Sequence, residues 1–355
     1  MTRMIVVEPP ADGAEHSTTV LGWDIGGANV KAAHLRRGGG TTAVRTASQP
    51  FEIWRDRESL GEVLRSVAAQ LPPAAATALT MTAELSDAFR TKREGVNFVL
   101  DAVTRATQGA PAVFTTAGTF VDVARARARP LEAAASNWLA TALLVARHAG
   151  DAVLVDVGST TADVIPLRAG RVAAKGRTDP ERLLEGELVY TGALRTNVAA
   201  IRTWVPLRGR RCPLASELFA VSGDAHVLLG SLSPSDYTSP TPDGRPPTAP
   251  YAAERLARVV CADVEMLEPD EIRAIATAIA ERQVRQIASA IARAACRFPA
   301  RPEVLLTGLG SFLARRAAER CGLPCRDVSA ALGLEVGAAA PAVAVAWLLA
   351  AARST

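Results

Sequence analysis

The chain has 355 residues, which is enough for about two domains of ordinary size. Apolar residues make up 49% of it and charged residues 21%, a balance that excludes collagen-like, disulfide-rich and wholly disordered chains. The formal net charge is +4, but the arginines are scattered among acidic residues. A nucleic-acid-binding module would concentrate positive charge on one face and interleave it with aromatic residues, so we expect no nucleic-acid partner.

The cysteines and two apolar segments of the sequence indicate in which compartment the protein is expected and whether it is expected to enter a membrane. The five cysteines are widely spread and form no C-x-x-C motif, and the chain has only four histidines, so a zinc site is not expected. This cysteine usage is typical of reduced thiols in a cytoplasmic protein. The first twenty residues hold no apolar run long enough for a secretion signal. The uncharged run 336–352 is alanine-rich and interrupted by Pro341, which favours a buried core helix over a membrane span.

Apolar segments of strand length alternate with helical patterns along the chain. Residues 1–18 precede them and are predicted to be a flexible tail. Strands are predicted at 20–25, 78–82, 113–116, 153–157 and 304–307. Helical faces are predicted in the segments 60–67, 96–103 and 272–291, where apolar residues recur at helical spacing. This alternation predicts an α/β protein.

The segment 231–250 holds six prolines and is predicted to be a loop. Such a loop is either a lid over a site or a passive insertion. The sequence leaves both open.

One motif occurs twice. The segment GWDIGGANVK around Asp24 has a counterpart in LVDVGSTTAD around Asp156, 132 residues later. Each is a strand that ends in Asp-x-Gly and is followed by a polar turn and a second strand. A separation of about one domain length predicts a duplicated fold whose halves face each other.

These turns suit phosphate and Mg²⁺. Glycines allow backbone N–H groups to approach a phosphate closely, and the aspartates Asp24 and Asp156 can hold a hydrated cation. Because Mg²⁺ keeps several waters, one or two carboxylates and phosphate oxygens suffice. Lys31 adds a cation. The candidate phosphate-binding residues are Gly26, Gly27, Asn29, Gly158, Ser159, Thr160 and Thr161. Either turn taken alone is equally typical of a plain β-hairpin with a capping aspartate.

A third glycine turn, LTGLGSF, lies between a predicted strand and a predicted helix at 313–320. Its residues Gly308, Gly310 and Ser311 stand where a nucleotide base or ribose would need access to the backbone.

In this order the three turns resemble the superfamily of sugar kinases, actin and the heat-shock ATPases, over about residues 19–352. The resemblance implies two ribonuclease-H-like domains that flank a cleft and a hinge-like closure between them. It implies a first domain at 19–150, a second at 151–330 that carries the loop 231–250, and a C-terminal helix at 331–355 that returns to the first domain. ATP is left open as a cofactor beside Mg²⁺.

Three further segments narrow the resemblance: TMTAELSDAFRTKREGV from Thr80, ASNWLA from Ala135, and GELVYTGALRT from Gly186. With the two turns, they are similar to the hydantoinase/oxoprolinase-related family of the tetrahydromethanopterin-linked one-carbon pathway, whose archaeal members are methanofuran-biosynthesis synthases. That family implies a transferase that joins an aminomethylfuran-methanol diphosphate to the phenol of a γ-glutamyl-tyramine or a tyrosine-based analogue. The product is an aryl ether, and diphosphate leaves.

This chemistry needs a neutralised leaving group and a base for the phenol. Asp24, Lys31 and Mg²⁺ suit the first task. Asp163, Glu84 and Asp87 are candidates for the base, and the sequence does not choose among them.

Each remaining candidate for a substrate- or nucleotide-binding residue can also have a purely structural role. Lys31, Lys92 and Lys175 are the only lysines in a chain that otherwise uses arginine, which points to sites where a compact ammonium is needed, but each can be a solvated leftover. Glu187, Tyr190 and Arg195 could contact the acceptor, or Glu187 and Arg195 could form a surface ion pair. Asn137 could face the cleft or cap a helix.

Three other functions stay open. An ATP-dependent small-molecule kinase would use Asp163 or Glu84 as its base and TGLGS for adenosine. A hydantoinase- or oxoprolinase-like hydrolase fits less well, because its first turn resembles DxGGTFTD, whereas Asn29 and Lys31 replace Thr and Asp here. A nucleotide sensor would leave the other segments without a role. We expect small-molecule substrates, no membrane partner and, as an open alternative to a monomer, a homodimer.

Overall fold

The computed structural model describes residues 18–107 and 109–353. The tail predicted for residues 1–18 lies outside these ranges apart from Thr18, which begins the first strand.

A six-stranded sheet forms the first half of the fold, in the order β3-β2-β1-β4-β5-β6. Its strands are β1 (Thr18–Ile25), β2 (Asn29–Gly38), β3 (Thr41–Pro50), β4 (Ala76–Met81), β5 (Ala112–Phe114) and β6 (Phe120–Val121). The helices of this half are α1 (Leu60–Ala68), α2 (Lys92–Ala106), α3 (Val123–Ala128), α4 (Pro130–Ala133) and α5 (Asn137–Ala146). Short 3₁₀ turns lie at Arg57–Ser59 and Ala83–Leu85.

A second sheet has the order β10-β8-β7-β13-β14, with β9 paired to β8. Its strands are β7 (Ala152–Val157), β8 (Ala162–Arg168), β9 (Arg171–Val172), β10 (Leu188–Val189), β13 (Glu303–Thr307) and β14 (Cys325–Asp327), while β11 (Trp204–Leu207) and β12 (Arg210–Pro213) form a separate hairpin. The helices are α6 (Asp179–Glu185), α7 (Val198–Ile201), α8 (Ser222–Leu228), α9 (Ala249–Arg258), α10 (Pro269–Ala295), α11 (Ser311–Arg320), α12 (Val328–Leu332) and α13 (Ala340–Arg353), with 3₁₀ turns at Pro234–Asp236 and Gly337–Ala339.

The two sheets repeat one arrangement. In the first, β1 pairs antiparallel with β2 and parallel with β4; in the second, β7 pairs antiparallel with β8 and parallel with β13. Because the carboxyl ends of parallel strands share one edge of a sheet, the turns after β1 and β4, and those after β7 and β13, lie side by side. The predicted α/β class is confirmed.

Helices α5 and α13 join the two sheets through one apolar core. Val20 of β1, Leu154 of β7 and Leu305 of β13 are buried in the same cluster as the alanine- and valine-rich face of α13. A Cβ on Gly22 would lie 2.1 Å from the carbonyl oxygen of Ala342, so only glycine lets this helix pack directly on β1. No helix in the described ranges combines the length and apolar character that a membrane span requires.

The proline-rich segment 231–250 is tied down at several points. Tyr237 is buried and donates to Asp224 at 3.4 Å. Asp243 accepts from the fully buried guanidinium of Arg255 at 3.0 Å and from Arg245 at 2.8 Å. These anchors favour a packed insertion over a lid.

Candidate active site

The duplicated turns are closed in the same way. In the first, the Gly26 N–H donates to the Asn29 carbonyl at 2.9 Å; in the second, the Gly158 N–H donates to the Thr161 carbonyl at 2.9 Å. Strand register places Asp24 opposite Lys31. The same register in the second hairpin places Asp156 opposite a carboxylate, and that difference separates the chemistry of the two turns.

The two turns face each other across the sheets. The Lys31 Nζ lies 3.9 Å from Asp24 Oδ2. The pKa of Asp156 is raised to about 7, mainly by burial and then by the negative charges of Asp163 and Asp24, while Lys31 acts against the rise. Burial also raises the pKa of Asp24, and Lys31 again opposes it. Residues from both halves thus form one electrostatic unit.

The third turn lies against the second. A Cβ on Gly308 would fall 2.3 Å from Asp156 Oδ1 and 2.4 Å from the Val157 carbonyl oxygen, and its φ of +87° favours glycine on its own. The Gly310 N–H donates to the Val157 carbonyl at 2.8 Å. Ser311 begins α11 beside this turn, which leaves its helix N-terminus near Asp156.

A fourth segment, which the sequence did not single out as part of this wall, wraps around the second turn. A Cβ on Gly192 would lie 2.5 Å from the backbone of Ser159 and Thr160. The Ala193 N–H donates to the Gly158 carbonyl at 2.9 Å. The motif GELVYTG therefore fixes the phosphate-type turn from behind.

Glu84 is a buried carboxylate beside the first turn. It lies in the 3₁₀ turn after β4, is 1% exposed, and neither of its oxygens has a hydrogen-bond partner among the described residues. Gly95 permits the close packing there, since its Cβ would lie 2.6 Å from the Glu84 Cα. Burial raises the pKa of Glu84 to about 7, against the opposing charge of Lys92. Nearby Ala135 has a φ of 49°, a strained conformation for a residue with a Cβ.

Lys92 connects the two halves. Its Nζ lies 3.8 Å from Glu84 Oε1 and 3.1 Å from Asp179 Oδ2 at the start of α6. Asp179 in turn lies 3.6 Å from the buried Arg182, which is paired with Asp163. A chain of charges therefore runs from Glu84 in the first half to the second turn.

Arg182 also lies over an aromatic ring. Its guanidinium carbon is 4.2 Å from the centroid of Trp138, in the ASNWLA segment. Burial raises the pKa of Asp163, and the Arg182 guanidinium opposes that rise. Asp163 is therefore hydrogen-bonded to its cation, whereas Glu84 lies 3.8 Å from Lys92 without a hydrogen bond to it.

The residues of this site fit a divalent cation. Five carboxylates face three cations, namely Asp24, Asp156, Asp163, Asp179 and Glu84 against Lys31, Lys92 and Arg182. Asp24 Oδ1 is buried without a hydrogen-bond partner in the described part of the chain. No group of three His, Cys, Asp or Glu side chains within 18–107 and 109–353 has metal-binding geometry. Mg²⁺ keeps several waters and needs only one or two protein carboxylates together with phosphate oxygens.

Arg195 lies at the rim of the cleft. Its guanidinium carbon is 4.4 Å from the centroid of Trp54 in the first half, and its Nη1 donates to Thr160 Oγ1 at 3.4 Å. Burial lowers the pKa of Arg195, while Glu52, Tyr190 and Asp87 act against this. Both Tyr190 and Asp87 are exposed there.

Several candidates lie in structural contacts instead. Glu187 is buried and accepts from the backbone of Lys175 at 2.9 Å and from Arg297 at 2.6 Å, so its ion pair is with Arg297 and not with Arg195. Asn137 Oδ1 accepts from the Trp138 N–H at 2.8 Å. The Lys175 side chain is 61% exposed and lies 3.5 Å from Glu185, the solvated alternative considered from sequence.

Sequence reasoning missed Arg182, Asp179 and Trp54 as parts of the site. The first two belong to the stretch TDPERLLEGE, which lies after Lys175 and overlaps the start of the motif GELVYTGALRT. Their signal was an arginine placed one helical turn after an aspartate. Trp54 follows β3 in an irregular segment, and no periodicity marks it.

Comparison with known proteins gives a consistent picture. Residues 75–352 match the model of the hydantoinase/oxoprolinase family. Over 331 residues the chain is 35% identical to the (4-{4-[2-(gamma-L-glutamylamino)ethyl]phenoxymethyl}furan-2-yl)methanamine synthase of Methanocaldococcus jannaschii, which covers 93% of this chain and 97% of that protein. The synthase of the same name from Methanococcus vannielii is 32% identical over 165 residues, or 46% of this chain and 73% of that protein.

Among solved structures, the nucleotide-free acetone carboxylase of ATP-dependent acetone carboxylation has a similar fold. Its TM-score is 0.50 at 11% identity, with 94% of this chain and 70% of that chain covered. At this identity the likeness concerns the fold alone. It agrees with the expected actin- and hexokinase-type architecture of two ribonuclease-H-like halves, which is confirmed.

Proposed function

The chain belongs to the hydantoinase/oxoprolinase family, and on this premise we propose that it is a methanofuran-type synthase. Its reaction condenses an aminomethylfuran-methanol diphosphate with the phenol of a glutamyl-tyramine or tyrosine acceptor. The name of the archaeal relatives supports this, because their product is a furan methanamine that carries a phenoxymethyl group. The bond formed in such a product joins a phenol oxygen to the methylene carbon of the furan.

The observation that carries the proposal is the pair of facing turns with excess negative charge. Asp24 and Asp156 would hold Mg²⁺, which when bound supplies neutralisation of the departing diphosphate. Lys31, 3.9 Å from Asp24, adds a fixed cation on one wall. The backbone N–H groups of the turns at Gly27 and Ser159 are candidate donors to the phosphate oxygens.

Among the three candidate bases we assign the role to Glu84. Asp163 is paired with Arg182, and Asp87 is exposed at the rim. Glu84 is buried, accepts no hydrogen bond at either oxygen within the described residues, and has a pKa of about 7, which is suited to proton transfer near neutrality.

The step balances as a substitution at carbon. The phenol O–H gives its proton to a Glu84 oxygen, and the phenol oxygen forms a bond to the furan methylene carbon. The bond from that carbon to the diphosphate oxygen breaks, and its electron pair leaves with the diphosphate. The furan ring delocalises positive charge that develops on the carbon, so the protein's task is to orient the phenol and stabilise the leaving group.

The rim is suited to the polar end of the acceptor. Arg195 is stacked on Trp54 and hydrogen-bonded to Thr160, which fixes a guanidinium at the mouth of the site. A fixed guanidinium pairs with a carboxylate through two parallel hydrogen bonds. We place the carboxylate of the acceptor's glutamyl or tyrosine part there.

The decisive experiment is mass spectrometry of the purified protein incubated with Mg²⁺, the furan diphosphate and either acceptor, with and without ATP. An ether product together with released diphosphate, in the absence of ATP, is the expected result. ATP conversion to ADP with no ether in any mixture would contradict the proposal and favour a kinase or hydrolase.

Lys31→Met provides the site-specific variant. It removes the cation beside Asp24, so turnover should fall at least a hundredfold. The matched control is Lys175→Met, since that side chain is exposed and its ion pair is with Glu185, outside the site. Equal rates in both variants would refute the assignment of the phosphate site.

A further inference from the structure

A cavity of about 890 Å³ lies on the second half of the molecule, outside the cleft. It is formed by the last turns of α10, the connection 297–302 that leads into β13, and the end of α11. The reaction site occupies the carboxyl ends of β7 and β13, whereas this cavity lies toward the amino end of β13. The two are therefore at opposite edges of the sheet.

Arginines supply all the charge of this cavity. Arg282, Arg285, Arg301 and Arg320 line it, and no Asp or Glu does. The whole chain has 36 acidic residues against 40 basic ones, so a lining with four cations and no anion departs from its average. Within the described residues, none of the four forms an ion pair, whereas Arg182 in the active site pairs with Asp163 and Asp179.

The positive charge extends beyond the cavity wall. Burial lowers the pKa of Arg202, and the nearby charges of Arg285 and Arg282 lower it further. The four arginines of the cavity are exposed, so solvent and salt weaken the repulsion between these like charges without removing it. Such an arrangement is relieved when an anion binds.

Apart from Ser289, Cys296 and Cys321, the rest of the lining is apolar. Phe298, Leu323 and several alanines of α10 form the floor between the arginines. A volume of this size matches small organic ligands and exceeds what one inorganic ion needs. Arginine is the side chain best shaped for phosphate groups.

We propose that this cavity binds an organic phosphate with at least two phosphate groups, its charged end on the arginines and its organic body on Phe298 and Leu323. The site is separate from the cleft and does not depend on the proposed reaction. It is a second, remote anion site on the same half that carries Asp156.

Calorimetric titration of the full chain with ATP and with inorganic triphosphate, in EDTA and without Mg²⁺, tests this. We expect ATP to bind more tightly than inorganic triphosphate, and Arg285→Ser combined with Arg320→Ser to weaken ATP binding at least tenfold. The matched control combines Arg65→Ser with Arg105→Ser, two exposed arginines of the first half, and should change the Kd less than twofold. Lys31→Met, which alters only the cleft, should also leave it unchanged.

Four results would overturn the proposal. The first two are that neither phosphate binds to the wild type, and that Lys31→Met loses ATP binding while the cavity variant keeps it. The other two are that the control variant loses as much ATP affinity as the cavity variant, and that ATP and inorganic triphosphate bind to the wild type with equal affinity. A hexaglutamate peptide is titrated in parallel. If it bound more tightly than ATP, an acidic macromolecule would replace the small phosphate as the occupant.

Discussion

Glu84→Gln should make the protein less active and more stable at alkaline pH. The wild-type carboxyl is 1% exposed and its pKa is raised from 4.5 to about 7. Because each tenfold change in proton affinity corresponds to about 1.4 kcal/mol, the buried charged form costs about 3 kcal/mol relative to the unfolded chain. Glutamine is neutral at every pH and removes that cost.

The direction in which stability changes with pH follows from how many protons the folded and unfolded chains bind. Between pH 4.5 and 7 the folded protein holds the Glu84 proton and the unfolded chain does not. Wild-type stability therefore falls as the pH rises through this window and stays lower above it. The stability of Glu84→Gln lacks this fall, so the difference between variant and wild type should grow by about 2 to 3 kcal/mol from pH 5 to pH 8.

Denaturant unfolding at both pH values measures this difference, and the same preparations give the rate of ether formation. Loss of a general base should lower kcat by roughly 10²- to 10⁴-fold. Glu62→Gln, at an exposed position of α1, is the matched control and should change neither quantity. A stability difference that is the same at pH 5 and pH 8 would refute the argument that burial outweighs the Lys92 charge and raises the pKa of Glu84. Wild-type turnover in the variant would separately refute its role as base.

Three other variants test the surrounding geometry. Gly308→Ala should abolish ether formation, because the added Cβ has no room beside the second turn. The control is Gly333→Ala, at a φ of +60° with open space around it, which should keep activity and lower the unfolding free energy by only about 1 kcal/mol. Lys92→Met removes the cation 3.8 Å from the buried glutamate, so the acidic limb of the kcat/KM profile should move to higher pH; an unmoved limb would contradict the pairing. Arg182→Met should lose about 3 to 5 kcal/mol in denaturant unfolding because it leaves Asp163 buried without its cation, and adding Asp163→Asn should recover part of that; a second substitution that only adds to the loss would contradict it.

The sequence predicted the parts of the molecule that depend on local pattern. The strands that carry Asp24 and Asp156 and the glycine turn at Gly308 are all present, because short apolar runs and the glycines that follow them determine these elements locally. The buried helix near the C-terminus follows from composition in the same way: its alanines allow close packing, and Gly22 receives it.

Pairings between distant segments could not be predicted. Glu187 looked like a substrate contact, yet its carboxylate is used by Arg297, 110 residues away. The three candidate bases were equivalent in sequence, and only the position of Arg182 separates Asp163 from Glu84. Which carboxylate obtains a cation depends on how helices from the two halves meet, and no spacing along the chain encodes that.

The duplication explains why the site has two unequal walls. Lys31 and Asp163 occupy equivalent positions in the two hairpins, each opposite the aspartate of its own turn. In the first wall that position supplies a cation directly. In the second it supplies a carboxylate that recruits Arg182, which through Asp179 and Lys92 is connected to Glu84. In the proposed mechanism, this one difference between the repeats lets Lys31 add a cation beside the two metal-binding aspartates, while Asp163 anchors the network that reaches the proposed base.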